Sequence, residues 1–201
     1  LTARNDWNST LPVGNLSYFF PSASISWIFT NSLHIDPTIL SFGKLRASWA
    51  SVGKGAGEAY YTQGTFAPNA AAFNGVTLYH ISEILPPLNL LPETAKSTEL
   101  GTELRFLNGR IGLDLTYYSK KSLDQIMQVD ISGSTGFSSL RLNAGEIQNH
   151  GLEAQLNLGI IKKQNGFNWD MDINWAKNSS KVNALYTDPN TQQALESFNI
   201  T

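Results

Sequence analysis

Long runs of alternating apolar and polar residues limit the fold of this chain more than any other feature of its sequence. In the clearest run, asparagine or aspartate alternates with Phe167, Trp169, Met171, Ile173 and Trp175. Alternation with period two is the pattern of a β-strand that has two different faces. No helical periodicity extends beyond a turn or two. The sequence therefore predicts an all-β fold, an antiparallel meander.

Six such runs follow one another along the chain. They span approximately residues 23–29, 40–53, 97–107, 111–131, 144–158 and 167–177. The last four are long enough to cross a membrane, which takes a tilted strand of about 9–11 residues. Strands of soluble proteins usually have about 5–6 residues. Strand length therefore favours a transmembrane β-barrel.

The connections between the runs alternate between short and long. Asn108-Gly109 is typical of a two-residue type I′ hairpin turn, and the connection near Lys162 is also short. The connections at 53–96 and 132–143 are much longer. Outer-membrane barrels have short periplasmic turns and long extracellular loops. We therefore expect the two long connections to be extracellular.

Large aromatic residues lie near the ends of several runs, where the interfacial girdles of membrane barrels occur. The candidates for contact with lipid are Trp27, Phe29, Trp49, Tyr117, Trp169 and Trp175. The same side chains could instead fill the core of a soluble β-sandwich. Amphipathic strands alone do not separate a barrel from a sandwich that binds carbohydrate through aromatic residues.

Composition excludes several classes of protein. Hydrophobic residues make up 41% of the 201 residues and charged residues 15%, so the chain can bury enough apolar area to fold. The net charge of −2 and the lack of a basic run argue against a nucleic-acid partner. There is no cysteine for a disulfide or a thiolate metal site. No apolar run approaches the roughly 18 residues of a transmembrane helix.

The sequence contains no pattern typical of an enzyme, a metal site or a cofactor site. His34, His80 and His150 are scattered, without the spacing of a zinc motif. Asp170 and Asp172 share one strand face, which is common and does not fix the carboxylate separation of a glycosidase. We therefore expect no catalytic residues, no metal and no cofactor.

Several segments together resemble the C-terminal half of SusC/RagA-family TonB-dependent outer-membrane transporters. In chain order they read RNDWNSTLP, SYFFPSASISWIF, LSFGKLRASWASVG, LLPETAKSTELGTELRFLNGRIGLDLTYYSKKSLDQI and NAGEIQNHGLEAQLNL. They cover most of residues 1–178 and are specific as an ordered set. The resemblance is weaker at 54–85 and at the end of the chain.

The resemblance implies a barrel of about 22 strands that surrounds a plug domain in the bacterial outer membrane. It also implies energy supplied through TonB, a SusD-like surface lipoprotein as partner, and import of glycans or peptides. The plug, the segment that contacts TonB and the closing strands have no counterpart here. We therefore expect residues 1–201 to be a partial barrel domain of a longer protein, because a membrane does not tolerate open sheet edges.

On this interpretation, two groups of residues are candidates for function. Aromatic residues of the first long loop could contact substrate or the lipoprotein: Tyr60, Tyr61, Phe66, Phe73 and Tyr79. Charged residues of the polar strand faces could contact the plug or line a wet lumen: Lys44, Arg46, Glu99, Glu103, Arg105, Asp114, Glu153, Asp170 and Asp172. The alternative roles are packing within the loop for the aromatic residues and a solvated surface for the charged residues.

Overall fold

The computed structural model describes residues 1–57, 59–87 and 89–184. Within these residues the chain forms twelve β-strands and one short α-helix, α1 (Phe29–Leu33). The strands in chain order are β1 (Thr2–Trp7), β2 (Ser17–Ile28), β3 (Leu40–Lys54), β4 (Phe66–Pro68), β5 (Tyr79–Ile81), β6 (Ile84–Leu85), β7 (Glu93–Phe106), β8 (Ile111–Leu123), β9 (Ile126–Asp130), β10 (Ser139–Asn143), β11 (Glu146–Ile161) and β12 (Trp169–Ala184). The predicted all-β fold is confirmed.

Seven of the described strands form one large sheet in the order β1-β2-β3-β7-β8-β11-β12. Every neighbouring pair is antiparallel, as a meander requires. β7 and β8 have 14 and 13 residues, and β11 and β12 have 16 each, so the predicted membrane-crossing length is confirmed. The alternation does not predict β1, because most of its residues are polar and both faces therefore look alike.

From β3 onwards, the connections at one end of the large sheet are short, with four and seven residues, and those at the other end are long. We call these the turn end and the loop end. The turn end carries α1 with the following turn, residues 107–110 and residues 162–168, whereas the loop end carries residues 8–16, 55–92 and 124–145. The nine residues between β1 and β2 and the eleven between β2 and β3 do not differ in this way. The predicted alternation of short and long connections is present from β3 onwards.

The turn between β7 and β8 differs from the prediction. It has four residues rather than two, because Phe106 pairs with Ile111. Leu107 and Asn108 take the positive φ values of 52° and 55°, and the Gly109 N–H donates to the Phe106 carbonyl at 3.1 Å. The central pair is therefore Leu107-Asn108, and a leucine occupies a conformation that favours glycine or asparagine.

The turn after α1 is closed by Asp36. Its carboxylate accepts hydrogen bonds from the backbone N–H and the hydroxyl of Thr38, at 2.8 and 2.7 Å. The backbone bond, together with the hydroxyl bond, lowers the pKa of the Asp36 carboxyl below its ordinary value. This Asx turn gives the chain a fixed direction into β3.

The loop end carries two further sheets, β6-β10-β9 and β4-β5. The expectation that the run 111–131 forms one strand is wrong. β8 ends at Leu123, Asp124 takes a positive φ of 56°, and β9 then pairs with β10 outside the large sheet. Residues around Met127 and Val129 do alternate as a strand does. The backbone changes direction at Asp124, however, so these residues belong to β9 in a second sheet.

Few side chains are buried, and the apolar face of the large sheet is open. Among the described residues, the buried hydrophobic side chains are Leu11, Phe20, Leu90 and Ala144. Ile25 and Leu100, in the middle of the apolar face, expose 71% and 53% of their surface. A sandwich would cover such side chains with a second sheet. The sandwich alternative is therefore wrong, and a partial barrel fits the structure.

Candidate functional surfaces

The register of the large sheet separates its side chains into two faces of different chemistry. Residues paired across antiparallel strands point to the same face, and alternate residues point to opposite faces. One row of the first face contains Ile25, Ala47, Leu100, Tyr117 and Leu152, which are successive partners across five strands. We call this the apolar face, and the opposite one, which includes Arg46 and Asp114, the polar face.

The apolar side chains form a belt that is bounded by aromatic rings towards the loop end. Trp49, Tyr117 and Trp175 are the last large apolar residues of this face on β3, β8 and β12 before Ser51, Ser119 and Lys177. Tyr117 pairs with Leu152, and Trp175 pairs with Ala154, one row nearer the turn end. Trp49 lies one row nearer the loop end than Tyr117, whereas Trp175 lies one row nearer the turn end. The border of the belt therefore slants across the strands.

Rings also border the belt towards the turn end. Trp27 precedes the last residue of β2, Phe29 begins α1, and Trp169 begins β12. The centroids of the Trp27 and Phe29 rings are 6.1 Å apart in an edge-to-face arrangement. The Phe29 ring lies over Gly43, where a β-carbon would come within 2.7 Å of it. The two rings thus pack together where β2 leaves the sheet.

The structure places all six predicted girdle residues on or beside the apolar face, but three of them are not at strand ends. Trp49, Tyr117 and Trp175 lie well inside β3, β8 and β12. These strands continue with polar residues beyond the belt, so the end of a run of apolar residues is not the end of its strand. The rings therefore lie at the border of the belt, and their contact with lipid stays a prediction.

Two groups of ion pairs lie on the polar face. Arg46 on β3 makes a bidentate contact with Asp114 on β8, with Nη1–Oδ2 and Nη2–Oδ1 distances of 2.9 and 2.6 Å. Glu103 accepts from Lys44 at 3.0 Å and from Arg105 at 2.8 Å. The structure thus joins five of the nine predicted charged residues into two groups.

The other predicted charges of the polar face do not join these groups. Asp170 lies 3.6 Å from the Lys162 ammonium, and Asp172 accepts a hydrogen bond from Asn157 at 2.6 Å. Glu153 borders a cleft of about 420 Å³ together with Arg46, Asp114 and Gln155. Glu99 borders a smaller recess beside Ser24 and Ser48. The polar face therefore contains pockets that water or another domain can fill.

Gly101 explains how Arg46 reaches Asp114. Gly101 lies on β7, between the two strands, and pairs with Arg46 on one side and Thr116 on the other. The Arg46 side chain crosses the strand over this glycine, where a β-carbon would lie 2.8 Å from Cζ and 2.9 Å from Cγ. The guanidinium also donates to the Thr116 hydroxyl at 2.6 Å. Alternation predicted that these residues share a face, but it did not predict this crossing.

The two long connections pack against each other at the loop end. β6 of the first connection pairs in parallel with β10 of the second, at Ser139–Ile84 and Leu140–Leu85. The Asn143 side chain accepts from the Leu91 N–H and donates to the Leu91 and Asp124 carbonyls, at 2.8, 2.9 and 2.8 Å. The loops therefore form one folded cap, which the sequence did not reveal.

The five predicted loop aromatics fall into two groups. Phe66 and Tyr79 lie on the same face of the β4-β5 hairpin, and Phe73 lies near its tip. These three are exposed by 72%, 64% and 68%. Tyr60 and Tyr61 lie apart from them, beside a cleft under β10. The hairpin rings have no cover in the described structure.

The cleft beside Tyr60 and Tyr61 is polar, with a volume of about 200 Å³. Thr65, Ser82 and Arg141 also line it. The Arg141 guanidinium lies 3.9 Å from the centre of the Tyr61 ring, a cation–π distance. Among residues 1–57, 59–87 and 89–184, no carboxylate lies within ion-pair distance of Arg141. A guanidinium held in this way can bind a carboxylate, sulfate or phosphate group.

In the part of the chain that the structure describes, no group of three or more acidic, histidine or cysteine side chains could hold a metal ion. None of the helical residues described forms a helix of the length and hydropathy that would cross a membrane.

Comparison with known proteins shows the family to which this chain belongs. Residues 1–197 match the model of a family described as TonB dependent receptor-like, beta-barrel. TonB-dependent receptor P26 of Formosa agariphila is 31% identical over 90% of this chain and 18% of its own length. TonB-dependent receptor SusC of Bacteroides thetaiotaomicron is 30% identical over 92% of this chain and 19% of its own length.

A solved structure shares the fold. The RagAB peptide importer in its closed-closed state superposes with a TM-score of 0.81 and 21% identity, over 92% of this chain and 20% of that one. The chain thus spans about a fifth of the length of the curated relatives and of the solved structure that it matches.

Proposed function

Because this chain belongs to the TonB-dependent receptor-like β-barrel family and is of the SusC/RagA type, we propose that it is a wall segment of an active importer. Its location is the bacterial outer membrane. The observation that carries the proposal is the contrast between the two sheet faces. An uncovered apolar belt with aromatic borders suits lipid, and ion pairs with wet clefts suit a lumen or a plug domain.

In this proposal residues 1–201 are part of one barrel domain, and other parts of the importer complete the barrel and carry the plug. The six girdle residues named above contact outer-membrane lipid. The loop end is extracellular and the turn end periplasmic, because outer-membrane barrels place their long loops outside. The TonB-contacting segment lies outside this chain.

The substrates are large nutrients, either oligosaccharides or peptides, captured together with a SusD-like surface lipoprotein. The folded cap at the loop end is the part of this chain that meets them. Phe66, Phe73 and Tyr79 provide exposed rings that can stack on a sugar or a peptide side chain or pack against the lipoprotein. Tyr60, Tyr61 and Arg141 provide a separate cleft for an acidic group. The RagAB structure, which shares the fold of this chain, is that of a peptide importer. This similarity of fold supports a peptide substrate.

Import is tested with the full-length polypeptide that contains this segment, expressed together with a SusD-like lipoprotein in a bacterial strain that lacks this transporter. We expect growth on an oligosaccharide mixture or on an oligopeptide mixture as sole carbon source, and loss of that growth when TonB or the lipoprotein is removed. Growth that is independent of the transporter, of TonB or of the lipoprotein would contradict the proposal.

The contact with lipid is tested by tryptophan fluorescence of the same polypeptide in bilayers that contain brominated lipids. We expect quenching, and we expect less of it after Trp49→Phe or Trp175→Phe. Trp7 pairs with Ser17 and therefore also lies on the apolar face, but three rows beyond Trp49 towards the loop end, so Trp7→Phe should change the quenching less. Full fluorescence in brominated bilayers would contradict the contact of the apolar face with lipid.

A further inference from the structure

We infer that the apolar face contains a specific site for one lipid whose headgroup carries a phosphate. An acyl chain would lie in a groove between β2 and β11, and the phosphate would lie between Lys96 and Lys121. This inference rests on the proposed function, which puts lipid against the apolar face. It goes further by distinguishing one position on that face, and one lipid chemistry, from the rest.

The groove has a volume of about 540 Å³ and is lined almost entirely by apolar atoms. Its shape follows from side-chain size. Ala47 and Thr102 are small, and they lie on neighbouring strands between the larger side chains of Trp27, Leu100 and Tyr117. Large side chains around small ones leave a depression in a sheet surface. An acyl chain in that depression contacts protein on several sides rather than on one.

Two lysines lie directly beyond this groove, towards the loop end. Lys96 is four residues from Leu100 on β7, and Lys121 is four residues from Tyr117 on β8, so both lie on the apolar face. Four residues of strand correspond to about 13 Å. Lys96 and Lys121 are direct cross-strand partners. The lysines are thus placed where a headgroup would lie when its chain occupies the groove.

The electrostatics of this pair favour an anion. Like charges directly opposite each other destabilise a sheet. The Lys121 ammonium is 3.2 Å from the Glu146 carboxylate, whereas Lys96 forms no ion pair with any described residue. A phosphate between the two ammonium groups would neutralise the repulsion and accept hydrogen bonds from both.

Further basic residues extend the same patch. Lys177 and Lys181 lie on β12, on the apolar face and beyond the belt, and Lys181 pairs with Gln148, the partner of Lys121. The four lysines and Glu146 give this border a net positive charge at neutral pH. Positive charge above an apolar groove complements a lipid with an anionic headgroup.

The test uses the detergent-purified full-length polypeptide and native mass spectrometry with dioleoyl phosphatidate. Dioleoylglycerol has the same chains without the phosphate and serves as the reference lipid. We expect saturable binding of phosphatidate at one site and at least tenfold weaker binding of dioleoylglycerol. Lys96→Ala with Lys121→Ala should weaken phosphatidate binding roughly tenfold, and Ala47→Trp, which fills the groove, should weaken binding of both lipids.

Lys120→Ala is the matched control, because Lys120 is the exposed neighbour of Lys121 on the same strand and points to the polar face. It should leave phosphatidate binding unchanged, and millimolar inorganic phosphate should not displace the lipid. An equal loss with Lys120→Ala, equal binding of both lipids or displacement by inorganic phosphate would overturn the inference. If brominated lipids still quench the tryptophans, such a result would leave the proposed wall segment intact.

Discussion

Arg46 and Asp114 form a bidentate ion pair although a complete strand, β7, separates the strands that carry them. The pair is possible because Gly101, between them, has no side chain. The contact joins β3 to β8 on the polar face, where backbone hydrogen bonds join only adjacent strands. It therefore links two strands that are not adjacent, across the third.

The Arg46–Asp114 contact should contribute measurably to stability. Their side chains are 36% and 30% exposed, so solvent screens the pair, and we expect a coupling of about 1 kcal/mol. A double-mutant cycle with Arg46→Gln and Asp114→Asn, followed by thermal unfolding of the full-length polypeptide in detergent, measures this coupling. Additive effects of the two substitutions would show that the pair contributes nothing.

Gly101→Ala should destabilise the protein by displacing Arg46. The added methyl group would occupy the space of the guanidinium and its chain, so the ion pair and the bond to Thr116 would break. We expect a loss of about 1–2 kcal/mol that largely disappears in an Arg46→Ala background. Gly14→Ala is the control, because no atom lies within 4 Å of its added carbon. An unchanged loss in the Arg46→Ala background would refute the explanation.

The Arg46 side chain, which crosses β7 over Gly101, illustrates what the sequence alone cannot predict. Alternation placed Lys44, Arg46 and Asp114 on the polar face, because the direction of a side chain depends only on its position along a strand. Which of them meet depends on register across three strands, which the sequence of one strand does not determine. The same limit applies to β9, whose alternation was visible but whose separate sheet depends on the backbone at Asp124.

The loop-end cap was beyond sequence reasoning for a related reason. Pairing of Ser139 with Ile84 brings together segments about 55 residues apart, through a parallel bridge of two residue pairs. Such a short contact has no periodic pattern. Arg141 was therefore not among the candidate residues, although Tyr60 and Tyr61, which line the same cleft, were. The available signal was a single basic residue, Arg141, in the second long connection.

A charge in the apolar belt should cost more than a charge at its border. Leu113→Lys, at mid-belt on β8, should destabilise the assembled protein by about 2–4 kcal/mol, and Ser119→Lys, beyond Tyr117 on the same face, by about 0–1 kcal/mol. Urea unfolding of the full-length polypeptide in lipid vesicles measures both. Equal costs at the two positions would contradict the slanted belt as the contact with lipid.

Leu107→Asn should stabilise the turn between β7 and β8. Leu107 has a φ of 52°, which costs a residue such as leucine about 1–2 kcal/mol, whereas asparagine tolerates it. Leu107 is 52% exposed, so little packing is lost. We expect a gain of up to about 1 kcal/mol in the free energy of unfolding. Arg110→Asn, at the other end of the turn, should give no such gain because Arg110 has no positive φ.

Arg141→Ala should lower the affinity of the full-length polypeptide for acidic oligomers without changing its affinity for neutral ones. The guanidinium stacked on Tyr61 lies beside the cleft and can donate two parallel hydrogen bonds to a carboxylate or sulfate. Calorimetric titration with matched acidic and neutral oligosaccharides or peptides should show a loss of about tenfold for the acidic members.

Two further substitutions separate charge from geometry at this cleft. Arg141→Lys keeps the charge but loses the planar fork, so it should recover only part of the affinity. Arg110→Ala removes an arginine at the turn end, far from the cap, and should leave binding unchanged. If Arg141→Ala weakens acidic and neutral ligands equally, Arg141 supports the fold of the cap and does not contact an acidic substrate.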